Sequence, residues 1–168
     1  MLKTKIAVFV SGGGTNFEAL INAQENGKIP HGEIVLMVSS SKTAYALKRA
    51  ENHGIKSVVC SKKELGSQER FEEEILKNLE ENDIQLIVLA GFMSILSKEF
   101  TKKYENRILN IHPSLIPSLC GEGFYVIHVH EAALKKGVKV TGATVHIENE
   151  TPDGGPIIMQ KAVYIEEN

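Results

Sequence analysis

The chain has 168 residues, 42% of them hydrophobic and 24% charged, with a formal net charge of −2. That is enough chain to bury a core without disulfide or metal staples, and its charge balance offers no basic field for nucleic acid. Two cysteines, Cys60 and Cys120, and an N-terminus without a signal-like stretch predict a reducing, cytoplasmic setting, and no apolar run is long enough to span a membrane.

Ile6 to Val10 is a continuous apolar run, the pattern of a parallel strand covered on both faces. Ser11-Gly12-Gly13-Gly14-Thr15-Asn16 breaks it, and Phe17, Leu20 and Ile21 then recur at helical spacing until Gly27. Ile34 to Val38 reads as a second buried strand, Tyr45 to His53 as a helix closed by Gly54, and Lys56 to Val59 as a short third strand. Phe71, Ile75, Leu76 and Leu79 mark a longer amphipathic helix with Ser67 as its N-cap, and Glu72-Glu73-Glu74 reads as a solvated face of it. Gln85 to Ala90 is a fourth strand, Met93 to Tyr104 is partly helical, and Ile108 to Ile111 is a fifth strand ended by Pro113. A helix carrying Val129, Ala132 and Ala133 follows, then strands over Lys139 to His146 and Pro156 to Val163. Alternating strands and helices that finish in adjacent strands predict an α/β fold. It is a mostly parallel twisted sheet with helices on both faces, in one domain over residues 1–168.

In such sheets ligands sit beyond the carboxyl ends of the strands. The glycine run, the Gly91-Phe92-Met93 turn and the end of the fifth strand all fall there, which predicts one shared edge. At the glycine run, Gly13 and Gly14 let backbone approach an anion, and Thr15 and Asn16 add side-chain donors or cap the helix. Phe17 stands where a dinucleotide fingerprint needs another glycine, and no Walker lysine follows. A single phosphate on a small substrate fits the loop; a tight strand-to-helix turn with no ligand is the plain alternative.

Asn110 and His112 lie two apart on an extended strand, so they share a face. A neutral donor beside a titratable ring suits a developing oxyanion. Asp153, in the turn Asp153-Gly154-Gly155-Pro156, can orient that ring and keep it protonated. The three make a candidate acyl-transfer site; alternatively, each merely closes a strand or a turn. Ser114 lacks a nucleophile elbow, which argues against a serine hydrolase. Cys120, His128 and His130 do not share a helix face, so no metal is expected. His146 is expected to be buried and hydrogen-bonded rather than to line the site. Phe124 and Tyr125 either shape the loop near substrate or only anchor it.

The blocks Val10 to Asn16, Val88 to Met93, Asn110 to Pro117, Thr141 to His146 and Asp153 to Ile158, in that order, resemble the phosphoribosylglycinamide formyltransferase family, from residue 5 to the end. The resemblance implies a Rossmann-like formyltransferase fold and transfer of a formyl group from 10-formyltetrahydrofolate to the amine of glycinamide ribonucleotide in purine synthesis. It implies catalysis by Asn110, His112 and Asp153, and phosphate binding at Gly13, Gly14, Thr15 and Asn16. For the folate it implies Gln68, Met93, Ser94, Ile95 and Leu96, with Asn110 and the loop Asn149, Glu150, Thr151, Pro152 and Asp153. Partners are small molecules only, without membrane or nucleic acid, in a monomer or homodimer. Ser94 and Gln68 stand where many relatives carry arginine, the loop Ser118 to Tyr125 lacks the commoner proline-glycine form, and the chain stops at Asn168 where relatives continue through helical structure. That ending predicts an exposed apolar patch. Two other readings remain: a 10-formyltetrahydrofolate deformylase, and a shortened non-catalytic folate or nucleotide binder.

Overall fold

The computed structural model describes residues 2–121, 123–125 and 127–166. Seven strands follow the order β3-β2-β1-β4-β5-β6-β7, and the chain divides into compact units at residues 1–100 and 101–168. In the first unit, β1 (Thr4–Val10) runs parallel to β2 (Gly32–Ser39) and to β4 (Leu86–Leu89), and β2 runs parallel to β3 (Lys56–Val59). β1 is apolar and buried from Ile6 to Val10 because that stretch is covered on both sides. Ile6, Val8 and Val10 pack with Phe17, Ile21, Ala46 and Ala50 of α1 (Thr15–Glu25) and α2 (Ala46–Asn52). Phe9 meets Phe92 and Phe100 edge-on instead, with ring centroids 5.2 and 6.5 Å away.

A short turn of helix that the sequence pattern does not reveal, α3 (Lys62–Leu65), precedes α4 (Gln68–Glu81). Ser67 caps α4 as expected, its hydroxyl accepting from Arg70 N–H at 3.1 Å. Phe71, Ile75 and Leu79 of α4 are fully buried at a spacing of four. Glu72 corrects the expectation of a solvated acidic run, since it is only 8% exposed. It shares the buried stripe with Phe71 and Ile75 because its carboxylate finds donors there. Gln68 Nε2, Ser97 N–H and Ser97 Oγ each donate to it at 2.6 Å. The segment from Met93 to Tyr104 is partly helical as expected, as α5 (Lys98–Lys103).

The second unit is antiparallel. β5 (Ile108–His112) pairs with β6 (Val140–Ile147), which pairs with β7 (Ile157–Tyr164), and α6 (Ile127–Lys136) buries Val129 and Ala133. The β5–β6 register sets Asn110 opposite His146 and His112 opposite Thr144. Every residue of β7 is exposed, the apolar Ile157, Ile158, Met159 and Val163 included, with Tyr164 at 78%.

Candidate active site

The glycine run behaves as two different things. Gly14 is the N-cap of α1 with φ of 73°, and a Cβ there would sit 2.8 Å from that of Ala46, so the turn demands glycine. Gly12 and Gly13 face open space, with nothing within 4 Å of an added Cβ. Packing therefore does not account for those two glycines. The first helical hydrogen bond runs from Glu18 N–H to the Gly14 carbonyl, and no side chain caps the helix. That leaves the N–H groups of residues 15–17 without intrahelical partners at the positive end of the helix. Thr15 and Asn16 are exposed and do not serve as the cap. α2 holds the loop: Ala46 N–H donates to the Gly12 carbonyl at 3.2 Å, and Arg49 Nε donates to that of Gly13 at 2.8 Å.

The turn after β4 lies beside this loop. Ser11 N–H donates to the Gly91 carbonyl at 3.1 Å, and Met93 N–H donates to Ser11 Oγ at 2.8 Å. Met93 is 47% and Ile95 77% exposed, in an irregular stretch that also holds Ser94 and Leu96. Gln68 does not reach outward as a free side chain. Its Nε2 donates to Glu72 and, at 3.1 Å, to the Ile95 carbonyl, so it fixes the stretch from behind.

In the second unit the side chains gather around Asp153. His112 Nδ1 lies 3.5 Å from Asp153 Oδ2, His146 Nε2 lies 3.5 Å from Asp153 Oδ1, and Gly121 N–H donates to Oδ2 at 2.9 Å. Asn110 Nδ2 is 3.1 Å from His146 Nε2, which follows from their opposite places in the β5–β6 register. His112 is 4% exposed and its Nε2 donates to the Leu119 carbonyl at 2.8 Å. The turn that presents this carbonyl is tied down by Ser114, whose hydroxyl donates to the Ser118 and Leu119 carbonyls at 2.5 and 3.3 Å. Thr144 Oγ1, fully buried, donates to the Ser114 carbonyl at 2.7 Å. In the neighbouring loop Ser118–Tyr125, Glu122 lies outside the described residues, and Tyr125 packs edge-on against His128 with centroids 4.9 Å apart.

Asp153 stands at φ 54°, an uncommon backbone for a non-glycine residue, at the tip of a closely built turn. Asn149 Oδ1 accepts from Thr151 N–H at 2.9 Å, and Gly154 N–H donates to the Thr151 carbonyl at 2.9 Å. Asn149 thus shapes the turn, while Glu150, Thr151 and Pro152 are exposed on it. Burial works against the Asp153 carboxylate. The His146 ring, Gly121 N–H and the charges of His112 and His146 outweigh it and hold Asp153 below the ordinary carboxylate range. His146 is buried and hydrogen-bonded as expected, yet it also touches two of the three candidate catalytic side chains. Burial disfavours its cation, but Asp153, the Ile147 carbonyl and the charge of Glu148 together raise its pKa.

Glu148 escaped the reading of the sequence altogether. It follows His146 by two residues, so strand alternation sets Thr144, His146 and Glu148 on one face, and that signal was available. Its Oε2 lies 4.0 Å from His146 Nε2 and is buried without a hydrogen-bond partner, and burial pushes its pKa up to about 7. His146, Glu148 and Asp153 bring one ligating atom each within 4.8 Å. The imidazole nitrogen that faces both carboxylates also faces the Asn110 amide, at 3.1 Å. A buried carboxylate between two imidazoles can keep them cationic, and an imidazolium N–H or the neighbouring amide NH₂ can donate a hydrogen bond to an oxyanion.

Among the described residues, no helix is long and apolar enough to cross a membrane. Residues 4–168 match the family model described as Formyl transferase. The chain is 47% identical over 163 residues to the trifunctional purine biosynthetic protein adenosine-3 of Gallus gallus, covering 97% of this chain but 16% of that protein. It is 38% identical to the phosphoribosylglycinamide formyltransferase of Haemophilus influenzae, covering 96% of this chain and 73% of that one. The crystal structure of phosphoribosylglycinamide formyltransferase from Bacillus halodurans superposes with a TM-score of 0.89 at 40% identity, over 98% of this chain and 81% of the other. The mostly parallel α/β sheet read from the sequence is therefore the fold of those proteins, and this chain belongs to the formyl transferase family.

Proposed function

We propose that this chain transfers a formyl group from 10-formyltetrahydrofolate to the amine of glycinamide ribonucleotide, in the synthesis of purines. The observation that carries the reading is the convergence of His112, His146 and Gly121 on Asp153, with Asn110 alongside, in a chain of the formyl transferase family. The amine attacks the formyl carbon, and the carbonyl oxygen takes up negative charge. Asn110 donates to that oxygen, and His112 supplies a hydrogen bond or a proton once Leu119 gives up its Nε2. The carbon–nitrogen bond to the folate then breaks, the folate nitrogen gains a proton, and the amine nitrogen loses one.

In this reading Gly13, Gly14, Thr15 and Asn16 hold the substrate phosphate, supported by the open space before Gly13 and the N–H groups at the start of α1 that have no intrahelical partner. Met93, Ser94, Ile95 and Leu96 line the pterin slot, supported by the exposed apolar side chains of Met93 and Ile95. Gln68 and Asn149 act by shaping that wall and the Asp153 turn, and Glu150, Thr151 and Pro152 contribute the turn's surface. Residues 1–168 serve as one formyltransferase domain, supported by a single family match over 4–168. The reading calls for no metal, a cytoplasmic setting, and a monomer or homodimer.

The test is a transfer assay with glycinamide ribonucleotide and the folate donor, followed by folate absorbance. His112→Ala and Asp153→Asn should each lower kcat by ~10²–10⁴-fold while donor binding persists. Near-normal turnover in either variant removes the mechanism, and formate release without the amine substrate favours a hydrolase instead.

A further inference from the structure

We propose that Glu148 is a positioning residue: seated with Asp153 on the Nε2 side of His146, it sets which end of the Asn110 side-chain amide faces the reacting space. The inference rests on the formyl-transfer reading for its kinetic consequence, but not for its geometry. His146 Nδ1–H donates to the Ile147 carbonyl at 2.9 Å, so Nε2 is the nitrogen whose protonation can vary. Three groups surround it: Asp153 Oδ1 at 3.5 Å, Glu148 Oε2 at 4.0 Å and the Asn110 amide at 3.1 Å. His112 from β5 meets the other carboxylate oxygen of Asp153, Oδ2, at 3.5 Å, and the Asp153 charge also raises the thiol of Cys120.

The two ends of an amide have nearly the same shape and opposite hydrogen-bonding sense. When Nε2 is bare, it accepts from the Asn110 NH₂, and the amide oxygen is what remains to face a substrate. When Nε2 carries a proton, Asn110 must turn its oxygen to it, which frees the NH₂ for a substrate oxygen. Only the second state supplies an oxyanion donor. Each carboxylate beside Nε2 favours that state. Asp153 alone suffices at lower pH, while Glu148, with a pKa of about 7, adds its charge only as the pH rises past neutrality. That charge is one of those that raise the His146 pKa and keep the proton on Nε2. The buried, unpartnered Oε2 has no other evident use among the described residues.

The experiment compares kcat and KM against pH for the wild type, Glu148→Gln and Glu148→Asp. Glu148→Gln should differ little from wild type near pH 6. Above neutrality its kcat should fall, by up to ~10²-fold, the usual effect of losing one oxyanion donor. Both KM values should stay level, and Glu148→Asp should recover part of the loss. In the ligand-free protein, nitrogen-15 NMR should show His146 losing its proton at lower pH in Glu148→Gln, with the Asn110 side-chain NH₂ signals moving in step. A kcat ratio that is the same at all pH values, or an unchanged His146 titration, overturns the inference. A wild-type chain that transfers no formyl group defeats the functional reading alone, because the NMR titration still decides the role of Glu148.

Discussion

Replacing Glu72 by alanine should destabilise the chain and loosen the stretch that follows β4. The carboxylate is 8% exposed and accepts from Gln68 Nε2, Ser97 N–H and Ser97 Oγ, each at 2.6 Å. Ser97 Oγ in turn accepts from Phe100 N–H at 3.1 Å at the start of α5. Hydrogen bonds to a charged group contribute ~1.5–3 kcal/mol each, and orphaning a buried N–H costs a further ~1–3 kcal/mol. Desolvation of the acid offsets a large part of that sum, so the net loss for Glu72→Ala should be about 3 kcal/mol. Glu72→Gln keeps one acceptor oxygen and turns its NH₂ towards Ser97 Oγ, and should cost about 1 kcal/mol. Urea denaturation of the three proteins measures this as a fall in the midpoint at constant slope. The KM for the folate donor should rise in Glu72→Ala, because Ser97 and Gln68 anchor the Met93–Leu96 wall. An alanine variant within ~0.5 kcal/mol of wild type would refute the reasoning, since the three contacts would then do no more than repay the acid's burial.

Gly13→Ala should leave stability within ~0.5 kcal/mol, because nothing stands within 4 Å of the new methyl, while raising KM for the ribonucleotide; an unchanged KM would reduce the loop to a turn. Gly155→Ala places a Cβ 1.7 Å from the Ile147 carbonyl oxygen, so the Asp153 turn must shift; urea midpoints should show a loss of about 2–3 kcal/mol, and kcat should fall with it. His53 is raised by the hydrogen bonds it donates to Glu25 and Glu18, so its contribution is fully present below the ordinary imidazole pKa and is lost as pH climbs through the raised one. Glu18 is lowered by His53 and Arg49, so its share is lost only in acid; the melting temperature of His53→Gln should therefore trail the wild type most at mildly acidic pH and converge with it at high pH. Cys60 is fully buried with its thiol pushed up to about 11, so a thiol reagent at neutral pH should leave it unmodified in the folded chain and react once urea unfolds it.

The strands of the first unit could be read from the sequence because burial on both faces leaves a run such as Ile6–Val10 with no polar interruption. α4 was readable from Phe71, Ile75 and Leu79 and from its serine cap. What escaped depended on contacts between segments distant in the chain. Helical spacing sets Glu72 rather than Glu73 on the stripe of Ile75 and Leu79, but an acid is kept buried there only by Ser97, 25 residues on. Likewise His146 looked like an ordinary strand histidine, and only the antiparallel register against β5 brings it to Asn110. Gln68 was singled out by position as a folate contact, whereas its side chain holds the Ile95 carbonyl, which only the folded chain brings to it. Glu148 is the instructive omission. Alternation put it on the face of His146, but a carboxylate two residues past a histidine carries no mark of burial.

The bond between His112 Nε2 and the Leu119 carbonyl bears on how this imidazole can be engaged by a designed inhibitor. A compound that offers it an acceptor gains little, because one oxygen merely substitutes for another and leaves the backbone carbonyl to be rehydrated. Tighter compounds would have to satisfy both sides at once, with an acceptor for the ring and a donor for the oxygen released.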